Sequence, residues 1–303
     1  MMNILIKSTK ILIVFLIFYY LIKNNHLNFD IFFKLTSSTI LTLLLGFLIF
    51  STYIIGSYRW SLVLKSTNIK NTFFENFKIY YMCTFFNNFL FGNLGGDFIK
   101  IYYVSNLSKN NKIKNSLSIA IDRIFGFLGL IILGVISACL ILFTQDEIIM
   151  ILILVSSIII FFLLIFFSIK FFKKIIIIEN FLKYFNLNIF ICIKCVFLSS
   201  IIFFLVHTSI YVISNKIFGF NIDLNHIFFS NFISLFLSAI PISPGGIGIG
   251  EVTFVFINEN LFNTYINNLA NVIVYFRLIV FITSLPGIFF FINYKKKNSE
   301  LTF

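Results

Sequence analysis

An eleven-residue string, PISPGGIGIGE from Pro241 to Glu251, constrains this chain more than any other feature. Two prolines, four glycines and a carboxylate cannot continue a membrane helix, because proline removes a backbone donor and glycine frees the backbone. Yet apolar runs flank the string on both sides. Broken backbone at membrane depth survives only where protein or a water-filled cavity covers it. Transporters build sites near the bilayer midplane from interrupted helices of this kind. The string therefore points at function, while most of the chain reports only that it lives in lipid.

Composition supports that reading. Of 303 residues, 59% are hydrophobic and 11% charged, with a mean hydropathy of +1.02. A soluble domain carries about 25% charged residues. The net charge of +12 does not indicate nucleic acid, because Lys and Arg fall in short loops between apolar spans. No RNA-binding aromatic motif or zinc-finger spacing is present. Cys83, Cys139, Cys192 and Cys195 include one Cys-x-x-Cys pair. It lacks a second pair or a His at ligand spacing, so it reads as apolar filler and no metal or cofactor is expected. Lys7 and Lys10 precede an apolar core, Ile11 to Ile22, but the following NNHLNFD offers no small-residue cleavage site. The segment reads as a retained first span starting near Ile4.

Crossing the hydrocarbon takes about 20 apolar residues. Full crossings fit at Ile4–Ile22, Ser38–Ser57, Ile124–Phe143, Ile148–Ile169, Val196–Ser214 and Ala270–Ile292. Two further apolar segments, Phe73–Ile101 and Ile227–Phe256, are interrupted by FNNFLFGNLGGD and by the Pro/Gly string. The expected fold is an all-α polytopic bundle of about six spans plus two broken helical hairpins, forming one domain over residues 1–303 with no soluble catalytic part.

Charge distribution tests this layout. With both termini cytoplasmic in the inner (plasma) membrane, every Lys and Arg is cytoplasmic except Lys23, Lys34, Lys216 and the intramembrane Arg277. This asymmetry requires each broken segment to enter and leave on one side, the first from the cytoplasm and the second from outside. Each then carries a Gly-rich turn followed by a carboxylate, Gly95-Gly96-Asp97 and Gly248-Ile249-Gly250-Glu251. That is the pattern of inverted half-helices around a central site. Ordinary kinked spans with loose turns are the alternative.

Four strings now bear on ancestry: Arg59-Trp60, FNNFLFGNLGGDFIKIYYVS (85–104), AIDRIFGFLGL (120–130) and PISPGGIGIGE (241–251). In order and spacing they resemble the lysylphosphatidylglycerol synthase transmembrane region family, also called flippase-like membrane proteins, over nearly the whole chain. Asp122-Arg123 and the Pro-x-x-Pro-Gly-Gly-x-Gly-x-x-Glu string are the most specific parts. The resemblance implies handling or translocation of a phosphate-bearing, anionic lipid. Gly92 stands where the family usually has Pro, and Lys100 where it usually has Arg. The aminoacyl-transferase half of the synthase has no counterpart here, so synthase activity is not carried over.

A charge at the bilayer centre costs about 3 kcal/mol and needs partners or water. Asp97 and Lys100 share one helical face just after Gly95-Gly96. A helix starting there aims backbone N–H groups at an anion, which suits a lipid phosphate. Asp122 and Arg123 point apart and do not pair with each other; Arg123 holds the turn through Asp97 or reaches a lipid phosphate, or the charges serve only a structural ion pair at a cytoplasmic helix end. Glu251 caps backbone N–H groups or pairs with Arg277; alternatively Arg277 snorkels to the interface. Asn87, Asn88 and Asn93 line a wet cavity or satisfy freed backbone groups. His207 and His226 read as hydrogen-bonded helix residues. Pro244, Gly245, Gly246, Gly248 and Gly250 permit close backbone approach around the site.

The mechanism expected is a polar groove between opposed hairpins that shields a headgroup while the acyl tails stay in lipid. No nucleotide-binding loop is present, so a gradient, mass action or a partner would drive movement. The expected partners are membrane lipids, a separate glycosyltransferase or lipid-modifying enzyme, and a second copy of the chain; nucleic acid is not among them. The rival readings are an accessory subunit of such an enzyme, a membrane enzyme using Asp97, Asp122 and Glu251, and a small-solute transporter.

Overall fold

A computed structural model describes residues 19–27, 37–66, 71–89, 95–108, 112–142, 188–240 and 243–292. The major elements are α1 (Thr39–Ser66), α2 (Phe73–Phe89), α3 (Gly95–Ser108), α4 (Lys112–Leu142), α5 (Ile189–Val212), α6 (Leu224–Ser238), α7 (Ile249–Asn260) and α8 (Ala270–Ser284). No strand occurs among the described residues. Thr39–Ser66, Ser116–Ile141, Ile189–Ile217 and Ala270–Ile292 are long and apolar enough to cross a membrane. The expected spans at Ile4–Ile22 and Ile148–Ile169 lie outside the described residues, apart from the first one's final turn.

The observed spans overrun the expected ones. Helix α1 continues nine residues past Ser57, carrying Arg59 inside it, because neighbouring helices supply that charge with partners. The span in α4 starts at Ser116, so Asp122 and Arg123 lie within it rather than at its mouth. Helix α5 starts early, where Asn188 accepts from Phe190 N–H, and ends in a π-helical turn at Ile213–Ile217.

Both interrupted segments are antiparallel hairpins. Helices α2 and α3 have 17 and 14 residues, about 26 and 21 Å at 1.5 Å per residue, short of the ~30 Å hydrocarbon core. Gly96 N–H donates to Asn87 Oδ1 at 2.8 Å, and further from the turn the Lys100 ammonium sits 4.2 Å from the Tyr80 ring centre. In the second hairpin Ser234 Oγ donates to Gly250 O at 2.9 Å. At that hairpin's base His226 stacks on Phe262 at 4.0 Å.

The hairpins enter from opposite ends. Helices α1 and α8 run parallel, with Thr42 bonded to Tyr275 and Tyr53 to Thr283. The base of the first hairpin lies at the C-terminal end of α1, where Asn76 donates to Ser61 Oγ at 3.0 Å. The base of the second lies at the N-terminal end of α8. There Ala270 N–H donates to His26 O, and His26 lies 3.5 Å from Glu259. Mid-bundle, Asn88 donates to Ser284 Oγ near one tip and Arg277 meets Gly245 at the other.

Apolar packing fixes this frame. Leu45, Ile49, Tyr53, Ile210, Phe254 and Tyr275 form one buried cluster joining α1, α5, α7 and α8. Small residues let helices close in, as is usual within lipid. A Cβ on Gly134 of α4 would come within 2.5 Å of the Phe232 ring of α6. Outward, Ile40, Leu43, Phe47, Phe190 and Phe197 are exposed, as a lipid-facing surface requires.

Candidate functional site

Glycine geometry builds the tip of the second hairpin. Gly245, Gly246 and Gly248 take φ of 59°, 68° and 87°, a region that side chains with a Cβ rarely adopt. The turn leaves carbonyls and N–H groups without helical partners, and two charged residues satisfy them. Glu251 Oε2 accepts from Gly248 N–H at 2.7 Å, a capping-box contact. From α8, Arg277 Nη1 donates to Gly245 O and Nη2 to Gly246 O, each at 2.8 Å. Its Nε lies 2.7 Å from Glu251 Oε1, and the Glu251 side chain is fully buried. Gly250 makes room for this arrangement, since a Cβ there would sit 2.9 Å from Arg277 Nη2. Both roles expected of Glu251 are filled at once, and Arg277 is a clasp rather than a snorkelling residue.

A cavity of about 420 Å³ opens beside the clasp, between the two hairpin tips. Its polar wall is Asn87, Asn88, Asn231, Ser234, Ser238 and the Glu251–Arg277 pair; Ile273, Phe276 and Phe281 supply apolar wall. The Asn231 amide is held 2.6 Å from Nδ1 of the buried His207. Asn87 does both things the sequence left open, lining the cavity and satisfying a freed backbone group, whereas Asn88 lines the cavity and bonds a side chain. Asn87 Oδ1 accepts from Gly96 N–H, and Asn88 Nδ2 donates to Ser284 Oγ.

A second charged cluster lies where α3 meets α1, α4 and α5. Arg59 Nε donates to Asp122 Oδ1 at 2.7 Å and Nη1 to Ser199 Oγ at 2.8 Å. The Arg59 and Asp122 side chains are 7% and 4% exposed. Lys100 Nζ is 3.9 Å from Asp122 Oδ2 and lies over the Tyr80 and Trp60 rings. Arg123 Nε donates to Asp97 Oδ2, tying the start of α3 to α4. Gly126 of α4 packs beside the Arg59 guanidinium, 3.5 Å from where a Cβ would stand, an ordinary contact distance.

The residues expected from sequence thus divide into two groups. Asp97, Lys100, Asp122 and Arg123 gather in the α3 cluster, with Gly95 and Gly96 opening that helix. Gly245, Gly246, Gly248, Gly250, Glu251 and Arg277 form the clasp, with Pro244 starting its turn and Asn88 across the cavity. Asn93, Gly92 and Pro241 lie outside the described residues. Sequence reasoning did not place Arg59, Ser199, Asn231, Ser234 or Ser238 at either location. A signal existed for Arg59, a guanidinium followed by the apolar run Leu62–Leu64, whereas serines in apolar helices are too common to single out.

An apolar exterior, four candidate spans and two opposed hairpins with buried charge define a multi-pass helical membrane protein. The chain belongs to the lysylphosphatidylglycerol synthase TM region family, whose model matches residues 8–287. A search among curated proteins gave no match.

Proposed function

We propose that this protein translocates or otherwise handles a phosphate-bearing, anionic membrane lipid, with the headgroup passing through the cavity between the hairpin tips. One observation carries the reading: a cavity of about 420 Å³ with an amide, hydroxyl and ion-pair wall, inside a bundle whose outer surface is apolar. Such a cavity gives a polar headgroup hydrogen bonds at a depth where hydrocarbon gives none. The acyl chains remain outside, along the exposed apolar helices. The family match favours a lipid over a soluble solute. The base of the first hairpin faces the cytoplasm of the plasma membrane in this reading, because most Lys and Arg then fall on the cytoplasmic side.

Reconstitution into vesicles with fluorescent phosphatidylglycerol tests the proposal. Bleaching of inner-leaflet label by an external quencher should accelerate with the protein and fall back on Asn88→Leu. Protein-independent bleaching across several anionic headgroups would contradict translocation and favour the accessory-subunit reading.

A further inference from the structure

We propose that Lys100 is the docking charge of a phosphate site in the α3 cluster, distinct from the cavity and on the side of the bundle where the first hairpin enters. The inference rests on the lipid-handling reading and assigns the headgroup's phosphate a place. Among the described residues three cations, Arg59, Lys100 and Arg123, gather around two carboxylates, Asp97 and Asp122. Arg59 is committed to Asp122 and Ser199, and Arg123 to Asp97. Lys100 is left 3.9 Å from Asp122 Oδ2, the other oxygen of the carboxylate that Arg59 holds through Oδ1, and its ammonium makes no hydrogen bond among the described residues.

A buried ammonium has three donors to satisfy and a charge to match. The Lys100 side chain is 8% exposed, so bulk water does neither fully. Aromatic faces stabilise a cation but accept no strong hydrogen bond. A second donor is also unpaired: the indole N–H of the fully buried Trp60, whose ring lies under the same ammonium. Unmatched positive charge together with unpaired donors calls for an anion with several acceptor oxygens. Phosphate has them, whether on a lipid or free in solution. Arg123 is the most exposed of the three cations, with 34% of its side chain accessible. The Arg277 clasp is a poorer candidate, because two carbonyls and Glu251 already take up its guanidinium.

Equilibrium binding to the purified full chain in neutral detergent tests this, with phosphatidic acid and diacylglycerol of the same acyl chains as probes. The wild type should bind phosphatidic acid at least about tenfold more tightly, the worth of one charge-assisted hydrogen bond. Lys100→Met should erase the preference and Lys100→Arg should keep it. Because Lys100→Met removes an ammonium that makes no hydrogen bond among the described residues, the lipid-free variant should unfold at or above the wild-type temperature. Displacement by inorganic phosphate assigns the site to free phosphate; displacement by phosphatidic acid alone assigns it to lipid. No preference in the wild type, a preference surviving in Lys100→Met, or a lipid-free Lys100→Met that melts lower would each overturn the proposal. Binding is read without transport, so failed translocation in vesicles leaves this result standing, and the reverse holds too.

Discussion

Arg59 shows what a buried charge does in this bundle. Its guanidinium touches Asp122 and Ser199 and is nearly sealed from solvent. Removing one partner of a buried pair strands the other and typically costs about 3–5 kcal/mol. Arg59→Leu should therefore lower the unfolding temperature strongly in detergent. Arg123→Leu, at a pair whose arginine side chain is 34% exposed, should cost less than Arg59→Leu in the same melts. The glycines offer a finer contrast. Gly245 and Gly246 both have positive φ, but a Cβ on Gly245 meets only Ile247 Cγ1 at 3.9 Å. On Gly246 it would stand 2.7 Å from the Ser238 carbonyl oxygen. Gly245→Ala should cost about 1–2 kcal/mol, the left-handed penalty alone, and Gly246→Ala more, by thermal melts of the two variants side by side. The Glu251–Arg277 pair was legible in the sequence because a carboxylate after glycines and an arginine deep in a span both demand explanation. Arg59 was not, because it stands close to where an apolar stretch of ordinary length ends.

At the scale of elements, each hairpin is held by a side chain that replaces a missing helical partner. Asn87 Oδ1 takes Gly96 N–H across the first turn, and Glu251 takes Gly248 N–H within the second. Leaving a buried donor unpaired costs about 1–3 kcal/mol. Asn87→Leu should therefore destabilise the protein more than Asn88→Leu, since the Ser284 hydroxyl keeps its bond to Phe281 O. Thermal unfolding in detergent reads the difference. The positions of the hairpins were legible, because Pro/Gly strings inside apolar runs leave few other solutions. Helix lengths were less so: hydropathy alone stopped α1 at Ser57, whereas tertiary partners let a charged residue continue the helix. The cavity wall was legible only on its α2 and turn sides. Asn231, Ser234 and Ser238 lie one turn apart along α6, in a sequence that otherwise reads as a plain apolar helix.

At the scale of the molecule, the two hairpins and the four candidate spans form one frame whose polar groups point inward and whose apolar groups point out. The inverted entry of the hairpins is legible in the charge distribution, because Lys and Arg concentrate in cytoplasmic loops. The α3 cluster and the cavity are built from different residues, the first from Arg59, Asp97, Lys100, Asp122 and Arg123, the second from amides, hydroxyls and the Glu251–Arg277 pair. The central claim is that opposed hairpins meet around that cavity, and compartment labelling tests it most directly. In a background lacking the four native cysteines, Glu75→Cys marks the base of the first hairpin and Asp223→Cys that of the second, both at exposed positions. In sealed, oriented vesicles an impermeant maleimide should label Asp223→Cys from the outer side only and Glu75→Cys only after the membrane is opened. Labelling of both cysteines from the same side would contradict the account.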